Sequence, residues 1–184
     1  KKQVNPRVPL YIYLLSHNLG DQFLLEKTGT QEKYLSPQLL DTLAEGTPVT
    51  VVIEACYSGN FINQDGQKSA LVGDNRTIIV SASGDKQSKI ARSSSFSRTF
   101  FSLIERNKPI ADAFEQAQDK LERMAYHRGQ SPQLESDGDG NPNQREDYLY
   151  LGGRYLPANI TSLTAPPNIT KITQPLELDK GISS

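Results

Sequence analysis

One cysteine in 184 residues rules out an internal disulfide framework and a multi-cysteine zinc site. With no second cysteine to resolve a sulfur intermediate, thiol exchange is also disfavoured. No apolar run approaches the roughly 18 residues that a membrane-spanning helix needs. Nor is there an excess of either charge. Twenty Lys and Arg meet 21 Asp and Glu, a net charge of −1, so neither nucleic acid nor an anionic membrane is an expected partner. No signal peptide is expected either, because Lys1-Lys2-Gln3-Val4-Asn5-Pro6 leads straight into sequence with the texture of a folded domain. The chain does not begin with Met, and a processed or excised fragment is the expectation. Its length allows one domain with a real core and a short appendage.

Three apolar runs dominate the first half: Leu10–Leu15, Val49–Ala55 and Thr77–Ala82. Each is near-continuous rather than alternating, as parallel strands covered on both faces tend to be. Between the first two, Ser36 reads as a helix N-cap, Pro37 as the first helical residue and Gly46 as the stop. Strand, helix, strand makes a βαβ unit, and Phe23-Leu24-Leu25 before the helix suggests a small hairpin. Phe96, Phe100, Leu103 and Ile104 recur at helical spacing, as do Ala113, Phe114, Ala117, Leu121 and Met124. They predict helices over 96–107 and 109–127 whose stripes are core. Residues 134–147 read as a polar loop and Tyr148–Leu151 as a last short strand. Residues 1–153 are thus the expected α/β domain. Residues 154–184, rich in Thr, Pro and Asn, read as a linker and the start of a β-sandwich. Leu10–Leu15 is too apolar for an exposed edge, so a missing N-terminal segment of the same protein, or another chain, is expected to add strands beside it.

Chemistry concentrates where two strands end. His17 follows the first strand and Cys56 the second. In a parallel βαβ unit both emerge at one sheet edge, where ligands bind in open α/β folds, on strands about 4.8 Å apart. A thiolate is a strong nucleophile that an adjacent imidazole can generate, and the same imidazole can then protonate a leaving amine. The Cys56 backbone N–H is a donor for an oxyanion.

The segment Glu54-Ala-Cys-Tyr-Ser-Gly-Asn-Phe61 resembles the nucleophile motif of the legumain family of cysteine peptidases and of the wider caspase-like clan. Tyr11 to Leu25, around His17, is similar to the clan's histidine segment, and Thr77 to Ser88 to its substrate-pocket strand and loop. Ala111-Asp-Ala-Phe114 is similar to the helix that follows. The likeness covers roughly residues 8–150, with bacterial legumain-like peptidases the nearest match. It implies a three-layer α/β/α sandwich with a mainly parallel sheet that lacks its N-terminal strands here. It also implies a His17/Cys56 dyad hydrolysing a peptide or protein substrate, with no cofactor required; a secreted or cell-surface setting is suggested only by the β-sandwich continuation, and the residues do not identify the compartment. By the same matching Glu54 and Ser88 line the pocket for the residue before the scissile bond, which would be Asn, Asp, Arg or Lys. A strand-end Glu satisfied by backbone N–H groups is the plainer alternative for Glu54, and a solvated loop serine for Ser88. Where the family has Gly after the histidine, contributing to the oxyanion hole, this chain has Asn18; a left-handed backbone there is open to Asn. That departure sustains an alternative, an inactive scaffold module of a larger surface or secreted protein.

Residues 135–146 form a second constellation. Counted from Glu135, oxygen-bearing residues fall at loop positions 1, 3, 5, 9 and 12, with Gly140 at 6. This is the EF-hand calcium template apart from Glu at position 1, and it nominates Asp137, Asp139 and Glu146 as calcium ligands. His127 is read as a helix-end residue interacting with the helix dipole.

Overall fold

The computed structural model describes residues 9–19, 22–43, 47–91 and 93–156. The expected linker and β-sandwich therefore lie, beyond residue 156, outside the described residues, as do the first eight. In chain order the elements are β1 (Leu10–Leu15), β2 (Asn18–Leu19), β3 (Gln22–Thr28), β4 (Gln31–Leu35), α1 (Pro37–Leu43) and β5 (Val49–Glu54). They continue with a 3₁₀ turn (Ser58–Phe61), β6 (Asn63–Gln64), β7 (Gln67–Lys68), β8 (Arg76–Val80), α2 (Phe96–Glu105), α3 (Ile110–Arg123), β9 (Gln133–Glu135) and α4 (Arg145–Leu151).

The central sheet has the order β1-β5-β8-β9. β1 to β5 and β5 to β8 are parallel, whereas β9 runs antiparallel to β8. The architecture is mixed α/β with a mainly parallel sheet, as the uninterrupted apolar runs predict. Successive side chains of a strand point to opposite faces, so β5 feeds two cores. Val49, Val51 and Ile53 pack with Leu40 of α1, Phe61, Leu71 and Val80. Val52 packs with Phe96 and Phe100 of α2, Phe114 of α3 and Leu134 of β9. Burying both faces explains why β5 carries no polar alternation.

The helices start where the sequence says. The Ser36 hydroxyl accepts from the Leu39 N–H at 3.2 Å, with Pro37 as first helical residue. The Ser95 hydroxyl likewise accepts from Arg98 N–H at 3.2 Å to cap α2. Asp112 in the first turn of α3 and Lys120 and Arg123 in its last complement the helix dipole. At the sheet's N-terminal end the buried Arg76 donates to the Thr47 carbonyl and pairs with Asp41 at 3.0 Å, tying α1 to β8.

Two expectations need correction. Tyr148–Leu151 is not a strand but the end of α4, because Gln144 and Asp147 form a capping box and burial falls on Leu151 and part of Tyr148, three apart, rather than on alternate residues. The last strand is instead β9, inside the stretch read as loop. The expected small hairpin is present as β3 and β4, turning at Gly29 with φ of 61°, and β2 extends it to three antiparallel strands.

Candidate functional site

β1 and β5 pair in register with Leu15 opposite Glu54. His17 and Cys56 each lie two residues beyond that pair, so the two loops leave adjacent strands at equivalent heights. A cross-link joins them, since the Asn18 side-chain amide donates to the Tyr57 carbonyl at 3.4 Å. His17 is exposed and its carbonyl accepts from Leu24 N–H at 2.9 Å. Cys56 is half-buried, and its sulfur donates to the Ser88 carbonyl at 3.7 Å. Asn18 sits within β2, paired with Phe23, and is not among the residues with positive φ; the left-handed backbone lies instead at Tyr57, with φ of 57°. A non-glycine residue held there is strained by about 1–2 kcal/mol. It buys the abrupt turn that ends β5 at the thiol.

That turn is fastened to the segment after β8. Tyr57 N–H donates to the Lys86 carbonyl at 2.7 Å and the Ser58 hydroxyl to the Ala82 carbonyl at 3.2 Å. The Asn60 amide reaches the Gly84 carbonyl at 3.3 Å. A β-carbon on Gly59 would lie 2.4 Å from the Gly84 nitrogen and 2.8 Å from the Ser83 carbonyl carbon. Because those atoms are backbone, Gly59→Ala is expected to destabilise the fold by about 2 kcal/mol, read as a lower urea midpoint at unchanged slope.

Glu54 faces inward. Only 1 % of it is exposed, and its carboxylate accepts from the backbone N–H of Phe96 at 2.9 Å and of Ser97 at 3.3 Å. The hydroxyls of Ser95, at 3.1 Å, and of Ser97 complete the set. Tyr13 joins through Ser97 at 2.7 Å, and burial raises its hydroxyl pKa. Glu54 therefore occupies the N-terminus of α2, where N–H groups lack helical partners, which is the strand-end alternative its sequence position allowed. Ser88 is half-buried rather than solvated. Its hydroxyl accepts from Ser81 at 2.8 Å and contacts the Gln130 amide at 3.4 Å.

His127, read as a dipole-facing helix end, is buried beyond α3. Its Nε2 lies 2.9 Å from the Ser94 hydroxyl and its Nδ1 3.3 Å from Gln130 Oε1. Sequence reasoning passed over Ser81, Ser94 and Gln130. Gln130 in particular stands in an aperiodic stretch that gives no burial signal.

The acidic loop gathers a different set from the EF-hand assignment. Among the described residues Glu135, Asp137 and Asp139 offer oxygens within 4.8 Å of one another, while Glu146, in the first turn of α4, is not in the group. The buried Glu135 carboxylate already accepts from Gly138 N–H at 2.7 Å and Gly140 N–H at 3.1 Å. A strand rather than a helix precedes the loop. The group thus holds template positions 1, 3 and 5, including the nominated Asp137 and Asp139 but not Glu146, and the loop closes on its own hydrogen bonds.

Burial pushes Glu135 up to about 7 and Asp147 up to about 6, against backbone N–H bonds that pull each down. Both hold a proton when folded at pH values where the unfolded chain has released it. Unfolding then releases protons, so this contribution to stability declines as pH rises from about 4 to about 7. The pair interacts, and the expected decline is on the order of 2 kcal/mol. Urea midpoints in metal-free buffer at about pH 5 and about pH 7.5 measure it, and Glu135→Gln should flatten the slope.

No helix among the described residues is long and apolar enough to cross a membrane. Comparison with family models and with curated proteins returns no match to this chain.

Proposed function

We propose that the chain is a cysteine endopeptidase of caspase-like architecture, with Cys56 as nucleophile and His17 as acid and base. The observation that carries this reading is the equivalent position of the two residues beyond the Leu15–Glu54 pair, with Asn18 bonded to Tyr57 across the gap. Support comes also from the strained Tyr57 immediately after the thiol, since such outliers cluster at active sites, and from the resemblance of Glu54–Phe61 to the legumain motif. Cys56 Sγ attacks the scissile carbonyl carbon as its proton passes to His17. His17 returns that proton to the departing amine nitrogen as the C–N bond breaks, leaving a thioester. Water then cleaves the C–S bond, with His17 taking the water's proton and restoring it to the sulfur. Glu54 serves this chemistry indirectly, by holding β5 to α2, and Ser88 belongs to the loop whose carbonyl meets the Cys56 sulfur.

Fluorogenic peptides with Asn, Asp, Arg or Lys before the bond test the reading. Turnover of at least one, together with labelling of Cys56 by iodoacetamide faster than a free cysteine at the same pH, is expected. Absence of turnover with labelling at the free-thiol rate sinks it. The sulfur's hydrogen bond to the Ser88 carbonyl, rather than to His17, favours a second reading, a non-catalytic scaffold module with an idle thiol. That second outcome is its signature.

A further inference from the structure

Gln130 lies seven residues beyond the end of α3 and is 1 % exposed. A carboxamide has two N–H donors and two acceptor lone pairs, and here all four are spent. Its Nε2 donates to the Ser81 carbonyl at 2.6 Å and to the Ser88 hydroxyl at 3.4 Å. Its Oε1 accepts from Lys89 N–H at 3.0 Å and lies 3.3 Å from His127 Nδ1. Because that oxygen only accepts, Nδ1–H is the donor in that contact, and Nε2 lies 2.9 Å from the Ser94 hydroxyl. One side chain thus pinches together both ends of the 81–89 loop. The loop touches the segment around the thiol at several points, among them the Ser88 carbonyl on the Cys56 sulfur and the Lys86 carbonyl on Tyr57 N–H.

We propose that Gln130 is a positioning residue for the chemistry of Cys56, setting where the 81–89 loop presents the Ser88 carbonyl to the sulfur. The inference rests on the peptidase reading above. Neither Glu nor Met replaces Gln130, since Glu lacks the donors and Met lacks donors and strong acceptors. A misplacement of about 1 Å at a reacting group lowers rates by as much as about a hundredfold.

The test compares Gln130→Glu and Gln130→Met with the native chain, each held well below its melting midpoint. Two readouts are taken, the iodoacetamide labelling rate of Cys56 without peptide and the kinetics of peptide turnover. The expected result is labelling about fivefold faster, as the half-buried sulfur loses its cover, and kcat about tenfold lower with KM within about twofold. Arg76→Met, at the opposite end of the sheet, is the control for lost stability and leaves both readouts unchanged. Should the Gln130 variants fold poorly, Ser88→Ala cuts the link from the loop side and is expected to shift labelling the same way by about twofold. Labelling unchanged in a folded variant, or matched by Arg76→Met, overturns the proposal. If the native chain turns over no peptide while the Gln130 variants alone change labelling, the coupling to Cys56 stands and the peptidase reading falls.

Discussion

Glu54→Ala is expected to cost about 4 kcal/mol of folding free energy, a large share of the 5–15 kcal/mol that holds a typical domain together. The side chain has hydrogen bonds from two backbone N–H groups and two hydroxyls, all at the start of α2. Alanine leaves those donors buried without an acceptor and opens a void between β5 and α2, and the two losses add. A carboxylate at a helix N-terminus also gains from the aligned peptide dipoles. Glu54→Gln keeps one acceptor oxygen and should lose about half as much. Urea denaturation of the three proteins gives the ordering directly. A near-neutral Glu54→Ala would mean that α2 is held by its apolar face alone, through Phe96, Phe100 and Ile104.

Cys56→Ala is expected to do the reverse, abolishing peptide turnover by at least about a thousandfold while moving stability by about 0.5 kcal/mol or less. The thiol is half-buried, with one long hydrogen bond, to Ser88, so the fold depends on it little. His17→Ala should depress turnover comparably, because a dyad acts as a unit, yet leave Cys56 available for alkylation, since His17 is exposed. Turnover surviving in either variant assigns the hydrolysis to other residues. Comparing the two strand-end positions is informative because they are only two residues apart. Glu54 points into the protein, so its loss is expected to register in stability, whereas Cys56 is half-buried at the strand end, so its loss is expected to register in turnover.

The parallel core was legible because β5 and β8 are buried on both faces, and that forces uninterrupted apolar runs. The cap at Ser36 and Pro37 and the stripes of α2 and α3 were legible for the same kind of reason, a local rule expressed in adjacent residues. β9 was not. It is three residues long, and its core contribution is Leu134 alone, too little to set a period. Its backbone is satisfied in part by Asn143, whose side chain accepts from Leu134 N–H at 2.9 Å and donates to the Pro132 carbonyl at 3.0 Å, an arrangement no spacing rule announces. α4 misled because Tyr-Leu-Tyr-Leu alternates, while the capping box that decides for helix lies just before it. At the site, His17 and Cys56 could be placed on one sheet edge from strand order alone. The inward turn of Glu54 and three of the four contacts of Gln130 depend on partners 41 or more residues away, which sequence order does not reveal.

The seam between residues 58–61 and 83–84 leaves no room for even a methyl group at Gly59. The turn that follows the thiol and the strip that follows β8 therefore shift as one piece, so a disturbance on either side of the seam is carried to the other.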